Sequence, residues 1–150
     1  MEVSSINIIQ ALAALISSLL AGTALLYSMF AYTRNLKVSH YNELDRIYQS
    51  LLTLAFHSTY LTQPETITTK EQQEKYDIYA FMVWNFLESI YDKCLKDEHL
   101  RDTWVPIIEV EGILHNKWFK REENMPKFKP QFSNFIEKLL GHSAERANLW

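Results

Sequence analysis

Two residues that could carry chemistry, Glu111 and His115, lie four positions apart in the second half of the chain. On a helix this spacing places a carboxylate and an imidazole on one face, where they could take part in a metal site. Glu109 and Glu88 are candidate companions. Bundles that bind metals usually take Glu-x-x-His from each of two helices, which is a different spacing. No second copy exists here, so we expect His115 to lie at the surface or at a bundle edge, without a metal.

The sequence lacks the motifs on which many enzymes depend. It contains no Gly-rich phosphate loop, no GxSxG, no CxxC and no HExxH. Its single cysteine, Cys94, excludes an intramolecular disulfide and a multi-cysteine zinc site. We therefore expect no enzyme, no catalytic residue and no cofactor. A hydrolase or metal enzyme that uses Glu88, Glu111 and His115 is the enzymatic alternative.

Asn85 and Glu88 lie inside an apolar stretch that covers residues 81–91. An unpaired ionised carboxylate is costly to bury, so Glu88 should be paired, protonated or at an edge. Arg101 and Lys117 are candidate partners for it. Two interpretations stay open: a structural polar contact within the chain, or a contact of Asn85 and Glu88 with a partner or ligand.

A basic and aromatic patch precedes the last apolar segment. Rings with cations suit a membrane surface or stacked nucleic-acid bases. The chain carries a formal charge of -3, which gives no electrostatic case for nucleic acid. We favour a solvated loop, keep lipid contact as the second interpretation, and expect no nucleic-acid partner. The patch comprises Trp118, Phe119, Lys120, Arg121, Lys127, Phe128 and Lys129.

All of these residues follow a run between Glu2 and Arg34 that contains no charged side chain. Residues 8–32 are apolar and, at ~1.5 Å per residue, long enough to cross a hydrocarbon core of ~30 Å. The leader before them has no basic residue, and the run is longer than a signal-peptide core. We expect residues 1–33 to form a retained N-terminal transmembrane anchor.

The basic residues around this run predict its direction. Lys and Arg are absent before it, whereas Arg34 and Lys37 follow it directly. Basic flanks favour the cytoplasmic side. We expect a single-pass protein of the cell inner (plasma) membrane, with the N-terminus outside and the main domain in the cytoplasm.

Small residues recur every four positions within the run, at Ala14, Ser18 and Gly22. Such spacing lets two membrane helices approach closely. We interpret this face as a transmembrane helix contact with a second copy of the chain. The other interpretation is that small residues are simply common in membrane helices.

The remaining sequence has a helical period and predicts an all-α fold, in which the transmembrane helix continues into a cytoplasmic bundle of three to four helices. We expect the bundle to cover residues 34–141 and residues 142–150 to be a flexible tail. The first helix should continue to about His57. A capping box, either Thr69 with Gln72 or Thr68 with Glu71, should start the second.

Turn residues set the limits that we expect for the last two helices. Asp102 or Thr103 should cap the third helix, which would leave Pro106 near its first turn. The fourth should begin at Pro130 and end at Gly141, because glycine commonly stops a helix.

The order of aromatic and proline positions in the predicted bundle resembles that of small uncharacterised bacterial single-pass membrane proteins with a helical cytoplasmic domain. The resemblance implies this architecture and a bacterial source, and it implies no activity and no site residue. The segments that carry it are residues 84–91 (Trp-Asn-Phe-Leu-Glu-Ser-Ile-Tyr), Thr103, Trp104 and Pro106, Trp118 and Phe119, residues 129–132 (Lys-Pro-Gln-Phe), and Phe135 and Ile136.

Two classes of function fit these expectations. The first is a membrane-tethered interaction or scaffold protein without catalytic activity, whose partners are the lipid bilayer, a second copy and another protein. The second is a membrane-perturbing effector of the toxin or defence type, whose anchors assemble into a pore. A pore would need a polar face, and the run offers only a thin one: Gln10, Ser17, Ser18, Thr23 and Ser28.

Overall fold

The computed structural model consists of helices, and no strand occurs in the residues that it describes, 2–94 and 97–147. Side chains are described for residues 7–93, 97 and 100–141. The helices are α1 (Glu2–His57), α2 (Lys70–Cys94), α3 (Glu98–Phe119) and α4 (Pro130–Ala147), with short 3₁₀ turns between them. The predicted all-α class and the long first helix are confirmed.

The chain divides into two compact units, Met1–His40 and Tyr41–Trp150. The first unit is the N-terminal part of α1, and its large apolar side chains from Ile8 to Tyr32 are exposed. The helical stretch Asn7–His57 includes a segment long and apolar enough to cross a membrane, judged by length and composition. The second unit contains the other helices and the hydrophobic core.

Helix α1 ends at His57, as its apolar period predicted. The next helix begins with a capping box at Thr69 and Gln72. The Thr69 hydroxyl accepts the Gln72 N–H at 3.2 Å, and the Gln72 side-chain oxygen accepts the Thr69 N–H at 3.2 Å. Of the two boxes that the sequence allowed, this one forms, and it fixes the first turn of α2.

Helix α2 is the centre of the second unit. Phe86 stacks on Tyr48 of α1, Trp84 stacks on Phe119 of α3 with ring centroids 4.0 Å apart, and Tyr91 packs on α4. Because α2 is apolar on more than one face, it can bury side chains against all three neighbours. Trp84 is fully buried, and burying a large apolar side chain stabilises a fold by roughly 1.5–3 kcal/mol.

The start of α3 differs from the prediction. The helix begins at Glu98, where the Asp97 carboxylate accepts the Leu100 N–H, and not at Asp102 or Thr103. Pro106 therefore lies inside the helix and not in its first turn. Since several acids precede the apolar period, the sequence could not show which one caps the helix.

Helix α4 begins at Pro130 as predicted but continues past Gly141 to Ala147. No glycine adopts a positive φ in the described residues, so Gly141 does not make the left-handed turn that ends many helices. Residues 142–147 of the expected tail are therefore helical, and its last three residues lie outside the described part of the chain.

Candidate functional site

Glu111 and His115 lie in a buried polar cluster between three helices. The His115 side chain has 0% of its surface exposed, and its Nε2 lies 3.7 Å from Oε2 of Glu111 on the same helix. Its Nδ1 lies 3.1 Å from the hydroxyl of Tyr76 on α2. The hydroxyl of Tyr48 on α1 donates to Oε1 of Glu111 at 3.2 Å. The cluster thus joins α1, α2 and α3 through side chains far apart in sequence.

Burial opposes charge on the imidazole and the carboxyl group. It lowers the pKa of His115 to about 4, and it raises the pKa of Glu111 although the Tyr48 hydrogen bond acts in the other direction. Burial also raises the pKa of Tyr76 to about 12. At neutral pH the cluster therefore contains an uncharged imidazole and an uncharged phenol.

The burial of His115 corrects the expectation of a surface or bundle-edge histidine. Two tyrosine rings, Tyr76 and Tyr79, enclose its imidazole. The indole N–H of Trp84 donates to its backbone carbonyl at 3.3 Å. Tyrosines on α2 supply partners that the α3 sequence alone does not reveal.

The cluster does not assemble the candidate site that combined Glu88 with Glu111 and His115. Glu88 contacts the beginning of α4 instead. Among the described residues, no group of three or more His, Cys, Asp or Glu side chains is placed to hold a metal ion. Glu111 and His115 have the donor types for a metal but lack a third ligand of these types.

Glu88 and Asn85 both make contacts within the chain. Oε1 of Glu88 accepts the backbone N–H of Lys129 at 2.8 Å, just before α4 begins. The ammonium group of Lys129 pairs with Asp92, one turn after Glu88 on α2. Exposed Asn85 donates to the Phe81 carbonyl in its own helix at 2.8 Å. The expected partners of Glu88, Arg101 and Lys117, are replaced by a backbone amide.

The aromatic half of the basic and aromatic patch belongs to the packed bundle, whereas its lysines are exposed. Trp118, Phe119 and Phe128 are buried in the core, so their rings are not presented to lipid or bases. The ammonium group of Lys127 lies 5.5 Å from the centre of the Trp118 ring, a cation–π distance. Arg121 pairs with Asp77 on α2 at 3.0 Å. These contacts make the patch a structural connection between α2 and the loop before α4.

An apolar cleft of about 420 Å³ lies between the end of α1, the turn that follows it and α2. Leu54, Ile78 and Met82 line it and remain exposed, Ile78 to 64%. This cleft was not predicted from the sequence. The available signal was Ile78 and Met82, an apolar pair at four-residue spacing outside the core-facing positions of α2. The other lining residues are His57, Ser58, Tyr60, Leu61, Lys75 and Tyr79.

Ile78 also borders a second cleft, of about 370 Å³, which lies on the opposite side of this side chain from the first cleft. Phe81 and Trp118 form its apolar part, and Arg121 and Lys127 line it as well. The exposed Ile78 side chain therefore forms a ridge between two clefts. The second cleft is half charged, with Asp77 and Glu123 beside the two basic residues, so the apolar part of this surface is the first cleft with its ridge at Ile78. Exposed apolar surface of this kind marks binding sites on soluble domains.

The predicted contact face of the anchor lies in the first unit. Ala14, Ser18 and Gly22 are all helical and exposed. A Cβ atom added at Gly22 would meet no atom within 4 Å. Packing within the chain therefore does not require a glycine at this position.

No family model, no curated protein and no solved structure matches this chain. The resemblance to small bacterial single-pass proteins thus stays a prediction. The function has to be argued from the chain's own residues.

Proposed function

We propose that this chain is a membrane-tethered interaction protein without catalytic activity. Its apolar run would cross the plasma membrane of a bacterial cell, with the N-terminus outside and the bundle in the cytoplasm. The observation that carries the proposal is the exposed apolar surface around Ile78. It is a binding surface on a domain whose buried polar groups are closed to substrates.

The first unit supports membrane insertion because its apolar side chains have no cover within the chain. Leu15, Leu19 and Leu26 are each more than half exposed. Leaving such surface in water costs about 25 cal/mol per Å², whereas hydrocarbon removes that cost. Arg34 and Lys37 support the cytoplasmic placement of the bundle by the positive-inside preference.

The cleft beside Ile78 supports a protein partner with an amphipathic helix. Its volume is in the range of known ligand sites. Ile78 and Met82, four residues apart on α2, and Leu54 on α1 offer the apolar contacts that an amphipathic helix needs. Lys75 at its edge is paired with Glu71 on the same helix, so the polar rim of the cleft can meet both signs of charge on the polar face of the partner helix. Tethering to the membrane raises the local concentration of the bundle towards partners in the same layer.

Self-association through Ala14, Ser18 and Gly22 is a further part of the proposal. The open space beside Gly22 would let another helix approach its backbone. The pore alternative gains less support, because the Thr23 hydroxyl donates to the Leu20 carbonyl in its own helix at 2.9 Å. A hydroxyl satisfied in this way adds little to a polar lumen.

An enzymatic role has weaker support than binding. His115 is fully enclosed, so a substrate cannot reach its imidazole in this conformation. Glu88, the third member of the alternative catalytic set, holds the beginning of α4.

The proposal is tested by the mass of the complex purified from native membranes in mild detergent. Ile78→Lys should remove the mass of the partner, because a charge in an apolar contact is costly to desolvate. Ile113→Lys is the matched control, since Ile113 is a similarly exposed isoleucine, 58%, on α3 and outside the cleft. Equal masses for the wild type and both variants would refute partner binding at the cleft.

A further inference from the structure

The buried polar cluster joins three helices of the second unit through four side chains. Tyr48 comes from α1, Tyr76 from α2, and Glu111 and His115 from α3. Nε2 of His115 has no hydrogen-bond partner among the described residues, and the nearest acid is Glu111 at 3.7 Å. An enclosed nitrogen without a partner is unusual in a folded core. This nitrogen is the atom of the cluster at which a change of protonation would alter the contacts.

The hydrogen bond between Tyr76 and His115 can run in either direction, and the position of Glu111 favours one of the two. A phenol hydroxyl donates one hydrogen, and a neutral imidazole accepts at one nitrogen and donates at the other. If Tyr76 donates to Nδ1, the proton of His115 sits on Nε2 and faces Glu111. Glu111 already accepts from Tyr48, so its second oxygen is free to attract that N–H. A neutral imidazole thus suits both of its neighbours.

Protonation of His115 disrupts this arrangement. The imidazolium donates at both nitrogens, so the Tyr76 hydroxyl can only accept from Nδ1, and its own buried hydrogen loses its acceptor. The charge would also lie in a position with no exposed surface. The side chains that face it are Tyr76 and Tyr79 from α2 and Glu111 from α3, with Tyr48 of α1 behind Glu111. Beyond Tyr76 lie the charges of Arg121, Asp77 and Glu65.

We propose that His115 and Glu111 form an acid-responsive latch, which helps to hold the part of α1 after His40 against α2 and α3 and loosens it when the imidazole takes up a proton. Tyr48 is the polar contact between α1 and the cluster, because its hydroxyl donates to Glu111. Apolar packing of Leu44 and Leu51 and the ion pair of Glu43 with Lys93 hold the same part of α1 independently of the cluster. The latch goes beyond the proposed function and does not depend on the cleft or on the anchor.

The two titrating groups act in opposite directions. The pKa of His115 falls from 6.5 in the unfolded chain to about 4 in the fold. The neutral imidazole therefore contributes stability that is fully present above pH 6.5 and is lost as the pH falls towards 4. The pKa of Glu111 is raised above 4.5, so protonation of Glu111 favours the fold. In the wild type, the carboxyl group therefore partly offsets the loss caused by the imidazole.

Because the two groups act in opposite directions, removing one or the other should change the pH dependence of stability in opposite ways. Glu111→Gln keeps an oxygen for the Tyr48 hydroxyl but removes the carboxyl titration and the charge that would attract an imidazolium. Hydrogen-exchange protection of the helix after His40 should then fall more steeply than in the wild type between pH 6.5 and 5, towards the one-proton limit of roughly tenfold per pH unit. His115→Phe should show no fall. His40→Gln, at a half-buried histidine outside both the cluster and the cleft, should match the wild type.

The experiment uses the full chain in detergent micelles, with exchange rates corrected for their intrinsic pH dependence. His115→Phe leaves Tyr76 without its acceptor, so we expect lower hydrogen-exchange protection at every pH. The test is therefore the slope of protection against pH and not its absolute value. If this variant does not fold, the wild-type imidazole is titrated by NMR. Protonation of His115 that coincides with loss of α1 protection supports the latch. Equal slopes for all variants, or protonation near pH 6.5 while α1 stays protected, would overturn it.

Discussion

Nε2 of His115 lies 3.7 Å from Oε2 of Glu111, one turn earlier on α3, and the imidazole has no exposed surface. The two groups are close enough to influence each other's protonation, yet too far apart for a direct hydrogen bond. Tyr48 and Tyr76 complete the cluster from α1 and α2. The bundle therefore holds its only described fully buried histidine at the point where three helices meet.

Tyr48→Phe should destabilise the second unit by roughly 1–3 kcal/mol at pH 7, because Glu111 loses its hydrogen-bond donor. Phenylalanine keeps the ring that stacks on Phe86. The Tyr48 bond favours the ionised carboxylate, so its contribution should shrink once the pH falls below the raised pKa of Glu111. Urea unfolding of the wild type and the variant at pH 7 and at pH 4 measures the cost of the substitution at each pH.

Tyr41→Phe is the control for this substitution. Tyr41 also packs on Trp104, but its side chain is substantially exposed and its hydroxyl makes no hydrogen bond to a described residue. We expect a change in unfolding free energy of about 0.5 kcal/mol or less. A cost as large as that of Tyr48→Phe would show that the hydrogen bond to Glu111 is not the reason.

Glu88→Ala should destabilise the junction of α2 with α4 by roughly 0.5–2 kcal/mol, the usual range for losing a helix cap. The Glu88 carboxylate accepts the Lys129 N–H immediately before α4. Amide exchange of Lys129 and of residues 131–133 should therefore accelerate in the variant. Asn85→Ala, which removes only an exposed local bond, should leave these amides unchanged. If Asn85→Ala and not Glu88→Ala accelerates exchange, the capping role is wrong.

Gly22→Leu and Ser18→Leu should dissociate a complex that forms through the anchor, because a larger side chain prevents close approach of two helices. The measurement is the mass of the full chain in mild detergent. Thr23→Leu is the control: it also replaces a small hydroxyl residue by leucine but on another face of the helix. If all three variants keep the wild-type mass, the small-residue face is not a contact.

The orientation is tested by protease protection in spheroplasts. Protease added outside should leave the bundle intact, because we place it in the cytoplasm, and lysis should then expose it. Replacing Arg34 and Lys37 by Gln and adding two lysines after Met1 should reverse this pattern in part of the population. Digestion of the wild-type bundle before lysis would contradict the proposed direction.

The sequence predicted most reliably what depends on neighbouring residues. The end of α1 at His57, the capping box at Thr69 and Gln72, and the start of α4 at Pro130 are all local signals, and all are confirmed. The start of α3 failed because more than one acid offered the same local signal. The end of α4 failed because Gly141 permits a left-handed turn but does not require one.

The site could not be predicted in the same way, since its contacts join residues far apart. Tyr76 lies 39 positions from His115, and Lys129 lies 41 positions from Glu88. A helical period shows which face of α3 is apolar, but it does not show that α2 places a hydroxyl opposite an imidazole. The cleft at Ile78 likewise depends on how the turn after α1 meets α2.

Site-specific photo-crosslinking in intact membranes tests the central claim most directly. A photoreactive residue at position 78 should crosslink one defined protein, and Met82→Lys in the same chain should abolish the product. The same residue at position 113, equally exposed on α3, should give no such product. Identical products from positions 78 and 113, or a product at 78 that survives Met82→Lys, would contradict the account of this chain as an interaction protein that binds through the cleft.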